Sequence, residues 1–293
     1  MPVSLSQYAL AAISTLVTVS CSDVRPTATA ALAEHAALTT AGRAPAVSPG
    51  EHRQYGQPVR LGEGRARAYV LRDAKNGRVP LEVGVALDAK ALAGLPLLGS
   101  GHHDLNHPEV HEHILTLPTG HGTPFQFVEL NWNPGGHEPP GIYDVPHFDF
   151  HFYTISKPER DAILPSDPEW AAKANRLPTG DLVPPYTVPL GPPGAAPAEF
   201  AVPMMGVHWS DIRSAELQGM LGHPAAYRPF TATFIYGSWD GRFTFLEPMI
   251  TRAHLLAKQA ATDPAVRDEL LPIAVPERYR TPGYYPTAYR IQW

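Results

Sequence analysis

Proline recurs at 33 of 293 positions in this chain, and that density decides what the chain can fold into. The usage is about twice that of an ordinary soluble domain. Proline gives no N–H to a helix or a sheet ladder and clashes with the preceding helical turn. Long helices, bundles and coiled coils are thereby excluded, and short strands joined by irregular segments remain. Apolar residues, at 44% of the chain, can fill a sizeable core, which excludes disorder throughout. Lys and Arg number 23 against 28 Asp and Glu, a net charge of −5. That leaves no basic face for phosphates, so nucleic acid is not an expected partner.

The first residues do not read as fold. Tyr8 to Val19 is a 12-residue weakly polar apolar run, too short for a spanning helix of about 20 residues and the length of a signal-peptide core. Cys21 follows Val19-Ser20 in a loose lipobox with Thr18 where leucine is usual, and Ala31-Leu32-Ala33 offers an alternative cleavage site. No Lys or Arg precedes the run. The expected division is residues 1–21 as a signal peptide or lipoprotein signal, 22–53 as a flexible Ala/Thr/Pro-rich linker, and 54–293 as one mainly β, metal-binding domain. The protein is then exported, periplasmic or held to a membrane only through a lipidated Cys21; a disordered cytoplasmic tail is the rival reading. The single cysteine makes no internal disulfide.

Beyond Gln54, alternation marks strands at Ala66–Leu71 and Leu81–Leu87, turning at Asn76-Gly77. A short helix is expected from Asp88 to Leu95, then strands at His113–Leu117, Phe125–Trp132 and His147–Ile155. Ser156-Lys157-Pro158-Glu159 carries a capping box, predicting a helix to about Leu164, with another from Asp167 to Arg176. The proline-dense stretch Leu177–Pro203 is expected to be irregular. Phe230–Gly237 and Arg242–Arg252 form a hairpin around Trp239-Asp240-Gly241, Asp263–Leu270 a short helix, and Tyr279–Trp293 an edge strand. The pattern predicts a single β-sandwich or β-barrel domain with a few short helices and long Pro-rich loops.

Histidine placement carries the chemistry. Nine of the 14 histidines fall between His102 and His151. In Pro146-His147-Phe148-Asp149-Phe150-His151-Phe152-Tyr153, strand geometry puts His147, Asp149 and His151 on one face and the three phenylalanines on the other. Imidazole and carboxylate together ligate zinc, iron, manganese or nickel. Residues two apart on a strand are ~6.6 Å apart, and His147 and His151 are ~13 Å apart. One ion therefore takes two ligands from this strand and others from elsewhere. The candidates are His208, within Val207-His208-Trp209, where a core histidine is the rival reading, and Glu247, in the otherwise apolar Phe245-Leu246-Glu247-Pro248-Met249. That carboxylate needs a cation or hydrogen-bond donors, as a ligand or as the group that orients a ligating histidine. His137, ahead of Pro139-Pro140, suits a ligand or a proton donor at the site mouth, where His137 or Glu138 could shuttle the proton. The cluster His102, His103, His107, His111, His113 and His121 reads as a surface histidine tract or a weak capture site. Its His111-Glu112-His113 is not the H-E-x-x-H zinc signature. No nucleophile elbow, P-loop or dinucleotide turn occurs. Tyr284, Tyr285, Tyr289 and Trp293 suit core packing or a ring-binding surface.

The blocks His137-Glu138-Pro139-Pro140, PHFDFHFY, MGVHW and FLEPMITRA together resemble a family of uncharacterised, often exported bacterial proteins carrying a domain of unknown function, over roughly Leu115 to Leu256. The resemblance implies that His137, His147, Asp149, His151, His208 and Glu247 form one constellation. A weaker likeness is to cupins, metal-binding β-barrels, from which the order and spacing of ligands here depart. The leading expectation is an exported metalloprotein with one divalent transition metal, zinc foremost, bound by His147, His151 and His208, with Asp149 or Glu247 completing the shell. It would be a metal-dependent hydrolase or lyase on a small molecule. The rivals are a non-enzymatic periplasmic metal- or ligand-binding protein and a structural envelope protein with a buried His-Asp-His network.

Overall fold

The computed structural model describes residues 52–73, 77, 79–99 and 109–293. The expected leader, nearly all of the linker, Asn76 of the first turn, and His102, His103 and His107 lie outside the described residues. No described helix is long and apolar enough to cross a membrane.

The protein is mainly β, and its centre is a seven-stranded antiparallel sheet. It is built from β5 (His111–Leu115), β6 (Phe127–Asn133), β7 (His147–Tyr153), β8 (Thr187–Pro189), β9 (Val207–Asp211), β10 (Ala232–Trp239) and β11 (Arg242–Thr251). Their spatial order is β5-β6-β7-β11-β10-β9-β8. With β5 and β8 at its two edges the sheet stays open, so the alternative of a closed barrel gives way to a sandwich-like arrangement. A four-stranded sheet of β1 (His52–Tyr55), β2 (Val59–Leu61), β3 (Gly64–Arg72) and β4 (Pro80–Leu87) supplies the second layer. The first described strand begins at His52, two residues ahead of Gln54. A C-terminal pair, β12 (Asp268–Pro272) and β13 (Ala288–Gln292), completes the strands, and β13 is the expected tail strand.

The large sheet has two chemically distinct faces. Register pairs Trp132 with Phe148, Leu130 with Phe150 and Val128 with Phe152, while Leu246 and Ile250 oppose Phe152 and Phe148 from β11. This apolar face joins Leu61, Ala66 and Ala68 of the small sheet in one buried cluster. Tyr289 of β13 stacks near Phe234 at 5.6 Å, so the aromatic tail packs on the core. The opposite face carries Asn133, Asn131 and Glu129 of β6 beside His147, Asp149 and His151 of β7. All six are buried.

Helices are short and peripheral, as the prolines require. Helix α1 (Lys157–Asp161) has the capping box at Ser156 and Glu159 but stops three residues before Leu164. Helix α2 (Trp170–Ala174) is shorter than expected, α3 (Pro197–Phe200) is one turn in the proline-dense stretch, and α5 (Pro264–Arg267) starts on the Asp263 cap. Helix α4 (Arg252–Ala260) was not expected; Thr251 caps it by accepting from the His254 N–H. The helix expected over Asp88–Leu95 is instead a string of turns. Asp88 spends its carboxylate on the N–H groups of Arg65 and Lys90, tying the segment to β3 rather than nucleating a helix.

Candidate metal centre

The polar face of β7 is roofed by the loop that follows β6 and carries His137 and Tyr143. His137 Nδ1 donates to its neighbour's carbonyl, Glu138 O, at 2.8 Å, and His147 Nδ1 donates to Val145 O at 2.6 Å. With Nδ1 acting as donor, each neutral ring has a bare lone pair on Nε2. Both lone pairs point at the same carboxylate: His147 Nε2 lies 3.1 Å from Asp149 Oδ1 and His137 Nε2 lies 3.4 Å from Oδ2. Lone pair facing lone pair is repulsive unless a proton on Nε2 or a metal cation sits between. His147 Nε2 and Asp149 Oδ1, although buried, have no hydrogen-bond partner among the described residues. Asn133 donates to Asp149 Oδ2 at 2.6 Å, which fixes the carboxylate's orientation. Carbonyls that set the imidazole tautomer and an amide that aims the carboxylate are what surround histidine–carboxylate metal sites.

A second trio lies along the same face. His151 Nε2 is 3.3 Å from Glu247 Oε1, and His208 Nε2 is 3.9 Å from Glu247 Oε2. Among the described residues neither ring nitrogen of His151 has a hydrogen-bond partner, nor does Glu247 Oε2, nor Ser210 Oγ two residues from His208. Within each trio the potential ligand atoms all lie within 4.8 Å of one another, so either can hold an ion. Phe230 edges onto His147 at 5.4 Å and Phe245 onto His151 at 4.9 Å, walling both with apolar rings.

Burial sets the electrostatics. It disfavours charge on Asp149, but His147 and His137 beside it outweigh that and hold the carboxyl well below its usual range. Burial likewise opposes protonation of His137, yet the Asp149 carboxylate wins and raises it. In the second trio burial dominates and the Asp149 carboxylate offsets it only in part, so that His151 is pushed down to about 3 and His208 down to about 4. Burial, with Asp149 and Glu129 adding repulsion, raises Glu247 well above the usual carboxylate range. Neutral imidazoles and an unbalanced carboxylate suit a cation.

The expected residues are therefore all on or beside this face, but they divide. His147 and Asp149 group with His137, whereas His151 groups with His208 and Glu247. One ion bound by His147, His151 and His208 does not match this grouping, because the two β7 histidines stand four residues apart along the strand, ~13 Å. His137, for which the sequence left a ligand or a proton-donor role open, faces Asp149 as a ligand would. Glu138 is exposed, and it is the carbonyl, not the carboxylate, that touches the site. His111 pairs with Glu109 at 3.1 Å and His121 Nδ1 with Thr123 at 2.9 Å; neither joins a trio.

Several contributors escaped the sequence reading. Glu129, Asn131 and Asn133 repeat on β6 the alternation seen on β7, polar residues at every second position of an apolar strand. That signal was present in Phe127-Val128-Glu129-Leu130-Asn131-Trp132-Asn133. Arg160 of α1 is buried and ion-paired with Glu129, balancing the one carboxylate of the face that belongs to neither trio. No match emerges when the chain is compared with protein-family models, curated proteins and solved structures.

Proposed function

We propose that this chain is an exported metalloprotein in which His137, His147 and Asp149 bind a divalent transition metal, zinc foremost, that acts as a Lewis acid in hydrolysis or elimination on a small molecule. The observation that carries the reading is the confrontation of two tautomer-locked Nε2 lone pairs with one buried carboxylate. Two nitrogens and an oxygen suit zinc, with iron, manganese and nickel as alternatives. Three protein ligands leave at least one coordination position for water or substrate. The His137 side chain is 28% exposed while His147 and Asp149 are 5% exposed or less, so the open position faces the loop side. Such a metal lowers the pKa of bound water or polarises a carbonyl. Asp149 and the two imidazoles would hold the ion, and Asn133 would keep the carboxylate oriented. The export component rests on the apolar run Tyr8–Val19 and the Cys21 that follows it.

Elemental analysis of the purified chain tests the binding. The expected outcome is bound transition metal, with one equivalent lost in His147→Ala. Metal-free protein that also fails to take up zinc, cobalt or manganese ends this reading and leaves a structural His-Asp-His network. Azide added to the cobalt-loaded chain then probes for the open position. A shifted visible spectrum supports catalysis, and an unchanged one favours a closed site for metal handling.

A further inference from the structure

We infer that His151, His208 and Glu247 form a second metal site beside the first, so that the polar sheet face is a two-metal centre. The inference rests on the reading that the first trio binds metal, and extends it.

Three strands contribute one ligand each: His151 from β7, Glu247 from β11 and His208 from β9. In the sheet β9 and β11 are separated by β10, and neighbouring strands are ~4.8 Å apart. His208 reaches Glu247 across that intervening strand because β10 presents Gly237 there. Gly237 is the register partner of both His208 and Phe245, and a Cβ at this position would sit 2.0 Å from the Phe245 ring. Its bare backbone lets Phe245 lie over the strand and lets His208 lean onto that ring, at 5.4 Å between centroids. A side chain at position 237 would close the gap through which His208 approaches Glu247.

The ligand atoms are also unclaimed. His151 is buried with both nitrogens unpartnered, and Glu247 is buried with Oε2 unpartnered. A proton shared between His151 and Glu247 would satisfy one nitrogen and one oxygen, leaving His208 Nε2 and the other oxygen facing each other. A metal ion is a single occupant that satisfies all three donors. The nearby arginine cannot take this role, because Arg160 is committed to Glu129, Glu112 and Asp161. Asp149 and His151 are two residues apart on one strand face, ~6.6 Å, so the two ions would be side by side. As in the first trio, one histidine opens outward: the His208 side chain is 20% exposed, His151 and Glu247 at most 2%.

The test is stoichiometry of the full chain, metal-depleted and then saturated with zinc. Two equivalents are expected in the wild type, falling to one in His208→Ala and to one in the isosteric Glu247→Gln. His147→Ala should also fall to one by losing the other ion. One equivalent removed by His147→Ala but kept in His208→Ala and Glu247→Gln overturns the second site and leaves the first standing. One equivalent removed by His147→Ala and by His208→Ala alike means a single shared ion and overturns it as well. A second equivalent that persists in both His208→Ala and Glu247→Gln lies elsewhere and does the same, and no zinc in the wild type overturns both readings. Anomalous scattering at the zinc edge from wild-type crystals counts the ions without any variant. Two peaks on the β7 face are expected, and one peak there refutes the proposal.

Discussion

Strand β7 has two faces buried to the same degree and built from opposite chemistry. Phe148, Phe150 and Phe152 point into the cluster shared with the small sheet, and His147, Asp149 and His151 point under the loops. On the first face burial is itself the stabilising term, since apolar area leaves water at roughly 25 cal/mol per Å². On the second, burial is a cost that only partners can offset. Several polar atoms there have none among the described residues. The comparison teaches that burial alone does not identify a core: one side of this sheet is complete as folded, and the other keeps buried polar atoms that could hold a cation. The coverings differ to match. Residues of the small sheet and Leu255 of α4 join the aromatic side, whereas the loop with His137 and the single-turn helix with Arg160 reach the polar side.

Three substitutions probe that contrast. The largest effect is expected from Phe148→Ala, which empties a fully buried ring position and should cost about 3–5 kcal/mol. Thermal melts with zinc and with chelator should fall by the same amount; a loss that zinc rescues would mean the apolar face is not independent of the site. Next is Asn133→Ala, which removes the donor that aims Asp149. Metal affinity should weaken roughly 10–100-fold, as for other residues that orient ligands, while the melt of chelated protein moves less than that of the zinc-loaded one. Equal affinity in competition titrations would show that Asp149 needs no such support. The smallest effect is expected from Ser156→Ala, which uncaps the helix that carries Arg160 over the polar face and should cost about 1 kcal/mol. The Ser156 backbone and hydroxyl hold Glu159 below its usual range. A lowered carboxyl stabilises the fold above its unfolded value near 4.5 and loses that contribution as pH falls through the folded value. The gap between wild type and Ser156→Ala should therefore narrow in melts of chelated protein below about pH 4.5, with zinc stoichiometry at neutral pH the same in both.

Period-two alternation made β7 legible, because both of its faces are written into one octapeptide. The hairpin of β10 and β11 was legible from Asp240-Gly241, and α1 from its capping box. The grouping of ligands was not, because it depends on register between strands far apart in sequence. Nothing near His208 says that it will stand across a glycine from Phe245, or that Glu247 will face His151 rather than Asp149. Helix α4 was missed although Thr251 and the alanine-rich Arg252–Ala260 stretch supplied its signals, because the preceding strand runs directly into its cap. At Asp88 a cap-like residue was read as a helix start, when its carboxylate was already engaged by Arg65 across the chain.

The two carbonyls that lock the imidazoles have a consequence for how this site can vary. Glu138 and Val145 act through their backbone oxygens, so changes to their side chains leave the locks in place. Each lock is also local, one residue after His137 and two before His147, so adding or deleting a residue between Pro139 and Asp144 would leave both in place and instead change how the two rings are brought together on Asp149. The loop should thus accept many spellings at one length and few at any other, its specification lying in residue count more than in residue identity.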